Sequence, residues 1–301
     1  MKVQTGAHTV IVVNRQAGFM RGRRYKKYMT RKPYLNGRLV CPGSPDELPR
    51  CLDEVLGPET KRIIVMGGDG TFHHVAKEII NRKLTKQVDL GLLPMGTGCD
   101  LARNLKIPSN PVKALRLLSK GRPRPLDVMK VILDGEVRYG VNSASIGLSA
   151  LVARRANRKA RKYPWTYISS ALREIIGYKA ARLKACINGK PWYSGPALLL
   201  VAANGRNFGR GITIAPGAES DNGLIYCVAI TTQKLFHLIP MLPGLFSGGF
   251  IKSRHVRITQ TGNLHASVHR TSRLVVEVDG ETYLAKDFQV QMIPSALKVI
   301  C

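Results

Sequence analysis

Apolar positions fall into two textures along the chain. In the first half they form short unbroken runs: Thr9-Val10-Ile11-Val12-Val13, Arg62-Ile63-Ile64-Val65-Met66 and Asp89-Leu90-Gly91-Leu92-Leu93. Runs of that length without alternation belong to strands buried on both faces, as in a parallel sheet. Helices are predicted over 46–56, 71–80, 100–105 and 111–119, with Ser44 before Pro45 as a candidate N-cap and Gly57-Pro58 as a stop. Strand and helix in alternation predict an α/β domain over 1–127.

From about Asp127 the texture becomes β-rich. Segments 128–132 and 136–141 flank Asp134-Gly135, a hairpin signature, and 183–187 runs into a similar pair at Asn188-Gly189. Further strands are predicted at 197–202, 224–230, 255–259 and 274–278, so a second domain of sandwich type is expected over 128–293. Helical insertions are predicted at 149–162, 167–178 and 233–246. The last lies in an apolar stretch, 235–250, broken by Pro240, Pro243 and Gly244, which either packs on the core or lines a cleft for acyl chains. No run reaches the roughly 20 apolar residues that span a bilayer, and Met1-Lys2-Val3-Gln4-Thr5 does not read as a secretory leader, so the expected location is the cytoplasm.

Charge adds a partner to this picture. Lys and Arg number 47 against 19 Asp and Glu, a formal net charge of +28, far beyond what solubility asks. Nucleic acid, an acidic membrane face and a polyphosphate substrate all qualify as the anion. Two runs carry bases and no acids: Arg15, Arg21, Arg23, Arg24, Lys26, Lys27, Arg31 and Lys32, then Arg154, Arg155, Arg158, Lys159, Arg161 and Lys162. Each basic side chain at an anionic bilayer contributes about 1 kcal/mol, so either run would support peripheral attachment; a plain solvated surface is the alternative. The six cysteines form no C-x-x-C pair, which points away from disulfides and zinc and towards free, mostly buried thiols.

Gly67-Gly68-Asp69-Gly70-Thr71 follows an apolar strand and opens a predicted helix. A glycine turn at a helix N-terminus presents backbone N–H groups and a partial positive charge, which suits phosphate. A carboxylate among phosphates makes sense with a bridging cation, and Mg²⁺ is the oxygen-seeking ion for that role. A plain glycine turn is the bland alternative. Pro94-Met95-Gly96-Thr97-Gly98-Cys99-Asp100 is a second turn of the same placement, with Asp100 as a candidate N-cap. Ligands of open α/β sheets bind beyond the carboxyl ends of the strands, where both turns and the one at Asn14 would converge. Farther on, Asp279 and Glu281 flank Gly280; in an extended segment residues two apart point the same way, which would aim both carboxylates at one site, while a solvent-exposed hairpin turn is the commoner use of such a string.

Asn14 with Ala17-Gly18, the 67–71 string and the segment 93–105 (LPMGTGCDLARNL) resemble the nucleotide-binding half of the bacterial diacylglycerol kinase and YegS-like lipid kinase family, to which sphingosine and ceramide kinases are related. In the second half Asn142-Ser143-Ala144-Ser145-Ile146-Gly147, Asn204-Gly205, Gly209-Arg210-Gly211, Ala215-Pro216-Gly217-Ala218 and Val278-Asp279-Gly280-Glu281 follow in the family's order. The resemblance implies a Rossmann-like, NAD kinase-like N-terminal domain and a β-sandwich C-terminal domain, with the active site in the cleft between them and the chain end, 294–301, returning to the first domain. It implies ATP contacts at Asn14, Gly67, Gly68, Asp69, Gly70, Thr71, Phe72, His73 and Thr97, Mg²⁺-assisted chemistry at Asp69, and a proton acceptor at Glu281 with Asp279 beside it. It also implies a structural Mg²⁺ site at Glu219, Asn222 and Leu224. Two positions depart from the pattern: Asn222 stands where the family has an aspartate, and Cys99 where an asparagine is common.

The activity implied is transfer of the γ-phosphoryl of ATP to a lipid hydroxyl, diacylglycerol first, at an anionic membrane surface and with no nucleic-acid partner. Asp69→Asn is expected to stop turnover and leave the fold intact. The competing readings are a sphingoid or ceramide kinase, an NAD kinase, whose N-E pair for the ribose is missing, and a basic membrane- or nucleic-acid-binding protein that has lost catalysis.

Overall fold

The computed structural model describes residues 8–17, 37–96, 98–157, 178, 180–232, 234–268 and 273–301. These divide into two compact units, Met1–Leu126 with Ser295–Cys301, and Asp127–Pro294. All of the expected helix at 167–178 except Tyr178, together with Thr97 and every basic residue of the two runs except Arg15, Arg154 and Arg155, falls outside the described residues.

In the first unit β1 (Thr9–Val13) is buried throughout and lies between β2 (Arg38–Val40) and β3 (Arg62–Gly67), and β4 (Asp89–Pro94) follows β3. All pairs are parallel, with Val10 opposite Ile63 and Ile63 opposite Leu90. The last residues of the chain add a parallel strand beyond β4, where Val299 stands opposite Leu90. The sheet is thus one continuous apolar layer, as unbroken runs require.

The predicted helix at 46–56 is shorter and starts differently. Residues Pro45–Glu47 make a 3₁₀ turn, closed by the Leu48 N–H on the Pro45 carbonyl, before α1 (Leu48–Asp53). Pro49 has no N–H to reach back to Pro45, so an α-turn cannot form there. Ser44 precedes the turn, yet its side chain makes no capping bond. The helix α2 (Asp69–Asn81) begins two residues earlier than expected, with Gly68 as N-cap, and buries Phe72, His73, Val75, Ala76 and Ile79. The short α3 (Asp100–Asn104) has Cys99, not Asp100, at its N-cap. The α4 helix (Pro111–Lys120) is capped by Asn110, whose Oδ1 accepts from Val112 N (3.0 Å) and Lys113 N (3.2 Å).

The second unit is a sandwich. After β5 (Pro123–Leu133) and β6 (Glu136–Gly140), β7 (Ser143–Gly147) leads into α5 (Leu148–Asn157). Then come β8 (Ala181–Ile187), β9 (Lys190–Ala197), β10 (Leu199–Ala203), β11 (Ile225–Ile230), β12 (Val256–Thr261), β13 (Asn263–Val268), β14 (Leu274–Val278), β15 (Glu281–Ala285) and β16 (Asp287–Ile300). One antiparallel sheet runs β12-β11-β10-β7-β14-β15; the facing layer runs β16-β13-β8-β9, with the β5–β6 hairpin on β16. Met129, Ile146, Leu200, Cys227, Leu264, Val276 and Phe288 from both layers share one buried core, the inner faces interdigitating as in aligned sandwiches.

Three tight turns join neighbouring strands with positive φ at both central residues: Asp134-Gly135 (48°, 92°), Asn188-Gly189 (48°, 77°) and Asp279-Gly280 (46°, 93°). That is the type I′ geometry matching strand twist. The third overturns the extended reading of 279–281. Asp279 lies in the turn and only Glu281 begins a strand, so the two carboxylates are not placed by strand alternation.

The insertion expected as a helix over 233–246 is a 3₁₀ element, Leu235–Leu245, because Pro240 and Pro243 remove the N–H groups an α-helix would use. All six cysteines are free, but only Cys227 is fully buried, so the mostly-buried expectation fails for the other five.

Candidate functional site

In the first unit the chain moves from β1 outward to β2 on one side and to β3 on the other, making the carboxyl ends of β1 and β3 the switch point of the sheet. Asn14 leaves β1 there. Its backbone N–H donates to Met66 O (3.0 Å), its Oδ1 accepts from Gln16 N (2.8 Å), and its Nδ2 donates to Thr71 Oγ1 (2.9 Å). The amide thereby ties the β1 turn to the first turn of α2. His73 is buried on the inner face of that helix, its ring edge-on to His74 at 5.5 Å. Phe72 is fully buried core, which leaves it only a backbone to offer a nucleotide.

The glycines of the two loops have different reasons. A Cβ on Gly96 would come within 2.6 Å of Gly68 Cα, and one on Gly67 within 2.6 Å of Thr71 Oγ1; Met95 N donates to Gly67 O at 2.7 Å. Gly68 and Gly96 therefore let two backbones touch, and Gly67 leaves room for the Thr71 side chain. Gly70 is of another kind: a Cβ there would meet no atom of the described residues within 4 Å, and its φ is not positive. Neither packing nor conformation within these residues calls for glycine at 70, whereas close approach of a ligand to the N-terminus of α2 does.

Asp69 sits between the loops. Its Oδ2 accepts from Asp100 N (2.8 Å) and its Oδ1 from Leu101 N (3.2 Å), so this carboxylate caps α3 from 31 residues upstream. Asp100 itself is buried and paired with Arg103. The cap position proper falls to Cys99, in the left-handed conformation at φ 52°. Asparagine tolerates that region and cysteine pays a strain of about 1–2 kcal/mol for it. Burial, then the charge of Asp69, pushes the Cys99 thiol up to about 12. At pH 8 it will accordingly resist iodoacetamide while Cys41 and Cys51 react; mass mapping that finds Cys99 alkylated as fast as those two refutes this.

In the second unit the turn after β14 is pinned at several points. Asp279 accepts from Val141 N (2.6 Å), Asn142 N (3.0 Å) and Ser143 N (2.9 Å). The buried Glu277 accepts from Ser145 Oγ (2.9 Å) and Gly280 N (2.5 Å), and Asn157 Nδ2 donates to Gly280 O (2.6 Å). Asp279 thus spends its carboxylate on backbone. Glu281, half-buried at the start of β15, accepts a hydrogen bond from Tyr283 Oη. Burial first and that bond second hold the Tyr283 phenol well above its ordinary range, and Arg138 lies 5.1 Å over its ring. The same-face pair at this turn is therefore Glu281 with Tyr283. Sequence reading missed Tyr283, although two-residue alternation finds it once the turn is placed correctly.

The 219–224 loop is closed by its own bonds. Asn222 Oδ1 accepts from Leu224 N (2.9 Å), and Gly223 N donates to Oδ2 of the fully buried Asp127 (2.6 Å). Glu219, Asn222 and Leu224 are all exposed. Asp127 was another residue that sequence reading passed over, a carboxylate inside a strand whose neighbours are apolar.

Comparison with known proteins fits both halves. Residues 8–131 match the family model of the diacylglycerol kinase catalytic domain, and residues 142–301 that of the YegS C-terminal NAD kinase beta sandwich-like domain. A "Probable lipid kinase YegS-like" of Yersinia enterocolitica is 27% identical over 251 residues, 83% of this chain and 81% of its own length; one of Pectobacterium atrosepticum is 28% identical over 82% of this chain and 80% of its own. Two solved chains from Bacillus anthracis superpose with TM-scores of 0.77 and 0.72 at 21% and 17% identity, each covering 97% of this chain and 96% of the other; the latter is described as a diacylglycerol kinase. At that identity the likeness is one of fold. Since the two family models together take in nearly all of the described chain, and the second alone more than half of it, the protein belongs to the diacylglycerol kinase-like, YegS-like family of lipid kinases.

Proposed function

We propose that this lipid kinase transfers the γ-phosphoryl of ATP to the free hydroxyl of diacylglycerol, giving phosphatidic acid, at the cytoplasmic face of an anionic membrane. The observation that carries the reading is Glu281, a half-buried carboxylate held by Tyr283 at the end of a turn fixed through Asp279, Glu277 and Asn157. A lipid hydroxyl keeps its proton at neutral pH, so its attack needs a positioned acceptor, and Glu281 takes that role. Asp279 and Tyr283 position it. In the first unit the open place at Gly70, beside Asn14 and Thr71, supports phosphate binding at the start of α2.

Mg²⁺, when bound, would supply charge neutralisation on the transferring phosphates. The only acid on the 67–71 turn is Asp69, already holding two N–H groups, so most of the six oxygens would come from phosphates and water. At the 219–224 loop the uncharged Asn222 and the bonds that close the loop leave a weak site. Asn222→Asp should therefore gain a Mg²⁺-dependent rise in melting temperature that the unsubstituted chain lacks; equal rises would place the ion elsewhere.

The deciding assay incubates purified protein with radiolabelled ATP, Mg²⁺ and detergent-dispersed diacylglycerol, monoacylglycerol, ceramide or sphingosine. Labelled phosphatidic acid is expected, with Glu281→Gln slower by at least about 100-fold. Label on ceramide or sphingosine alone moves the acceptor to the sphingoid class. No labelled lipid at all sinks the proposal, and near-normal turnover by Glu281→Gln removes that residue from its role.

A further inference from the structure

Ten large apolar side chains are exposed among the described residues, and four of them, Phe236, Ile239, Leu242 and Phe246, fall in one short stretch with exposures of 58, 65, 49 and 68%. The stretch is the 3₁₀ element Leu235–Leu245 and the residue that follows it. A 3₁₀ helix turns once in three residues, so Phe236, Ile239 and Leu242 stack in a single outward row. Its other side packs inward through Leu238, Met241 and Leu245 onto a buried cluster with Phe250 and Val228. Core packing, one of the two readings open for this segment from sequence, therefore accounts for the inner row and leaves the outer one unexplained.

The surroundings of the row are basic. Lys234 is exposed, with its ammonium 5.7 Å from the centre of the Phe236 ring, and Lys252, Arg254 and Arg257 are exposed just beyond Phe246. Residues 222–276 contain no Asp or Glu at all, within a chain of net charge +28. An apolar ridge edged by cations, in a stretch of sequence without acids, repels a second copy of this basic chain. It complements an anionic bilayer, whose headgroups take the cations while the ridge enters the acyl boundary.

We infer that the outward row Phe236, Ile239, Leu242 and Phe246, with Lys234, Lys252 and Arg254 at its edge, is the surface by which this protein docks on an anionic membrane. The inference rests on the lipid kinase reading only for choosing a bilayer as the partner. It lies outside the basic runs at 15–32 and 154–162 in the sequence, and it is built from apolar side chains as well as charge. Docking by this row fixes the second unit, which carries Glu281, at the membrane surface where a lipid hydroxyl is found.

The test is co-sedimentation of the full chain with phosphatidylglycerol–phosphatidylcholine vesicles, without ATP. Binding is expected with phosphatidylglycerol present and lost with phosphatidylcholine alone. The double variant Phe236→Ser, Ile239→Ser should bind at least about tenfold more weakly, and Lys252→Glu, Arg254→Glu likewise at low salt. Circular dichroism melts check that each variant is folded. Phe236→Trp gives a reading that does not depend on loss: its added fluorescence should shift to the blue on anionic vesicles. Vesicle binding that ignores the double variant, or an unmoved emission from a vesicle-bound Phe236→Trp, overturns the inference. So does sedimentation equilibrium showing that the row joins two copies of the chain, or an unsubstituted chain that fails to bind. Because the assay needs no turnover, a protein that docks through this row and phosphorylates no lipid refutes the kinase reading alone, and an active kinase that docks without the row refutes the docking surface alone.

Discussion

Replacing Gly96 with alanine will unfold or insolubilise the first unit, and replacing Gly70 with alanine will not. The added methyl at 96 would stand 2.6 Å from Gly68 Cα and 3.3 Å from Cys99 Sγ. The first neighbour is backbone, anchored by the loop bond from Met95 N to Gly67 O, so it has no rotamer by which to yield. Overpacking of a core costs about 1–3 kcal/mol, and a backbone-on-backbone clash belongs at or above the top of that range. At Gly70 the methyl meets nothing among the described residues, and the change from glycine inside a helix stabilises by up to about 1 kcal/mol. Its penalty should appear only with ATP present, as weakened binding. Denaturation of both variants, with and without ATP, separates the two roles; equal stability of Gly96→Ala and the parent would show that the loops do not pack as described.

Asp69→Asn should lose stability as well as turnover. The carboxylate accepts one N–H on each oxygen from the first turn of α3, and hydrogen bonds to a charged group contribute roughly 1.5–3 kcal/mol each. An amide accepts at one atom and confronts the other N–H with a donor. We expect a loss of about 2–3 kcal/mol in the first unit and a turnover drop of at least about 100-fold, because a loosened α3 moves the second glycine loop with it. A pure metal ligand would behave differently, with an unchanged melt and lost activity. That second outcome is what the sequence led us to expect, and its appearance would return Asp69 to the metal.

The difference marks where sequence legibility ended. Strands such as Ile63-Ile64-Val65-Met66 were readable because a parallel sheet needs unbroken apolar runs, and the Asp134-Gly135 and Asn188-Gly189 hairpins because only some residues accept positive φ. The strand Ser143–Gly147 was visible as a motif but not as a strand: it is fully buried yet built of small and polar residues, satisfied by Glu277, 132 residues away from Ser145. Asp279-Gly280 carries the same turn chemistry as the two hairpins that were recognised. The hairpin alternative holds there and the extended one does not, because both residues at the turn take positive φ. At the candidate site the residue types were legible and their partners were not, since Asp69 with Leu101 and Asp279 with Val141 meet through the fold and not along the chain.

The final strand has a consequence for how the protein is made. Its terminal segment pairs with β4, and Leu297, Val299 and Ile300 are buried there, Ile300 Cδ1 within 3.8 Å of a Cβ placed on Gly91. A ribosome delivers β1 to β4 first, then the entire sandwich, and only afterwards the strand that covers the open edge of β4. Until then that edge offers unpaired N–H and C=O groups and bare apolar surface, the usual invitation to mispairing. The nascent parallel sheet must wait with one flank open while an intervening domain is synthesised, so the two units finish folding in the reverse of the order in which they begin.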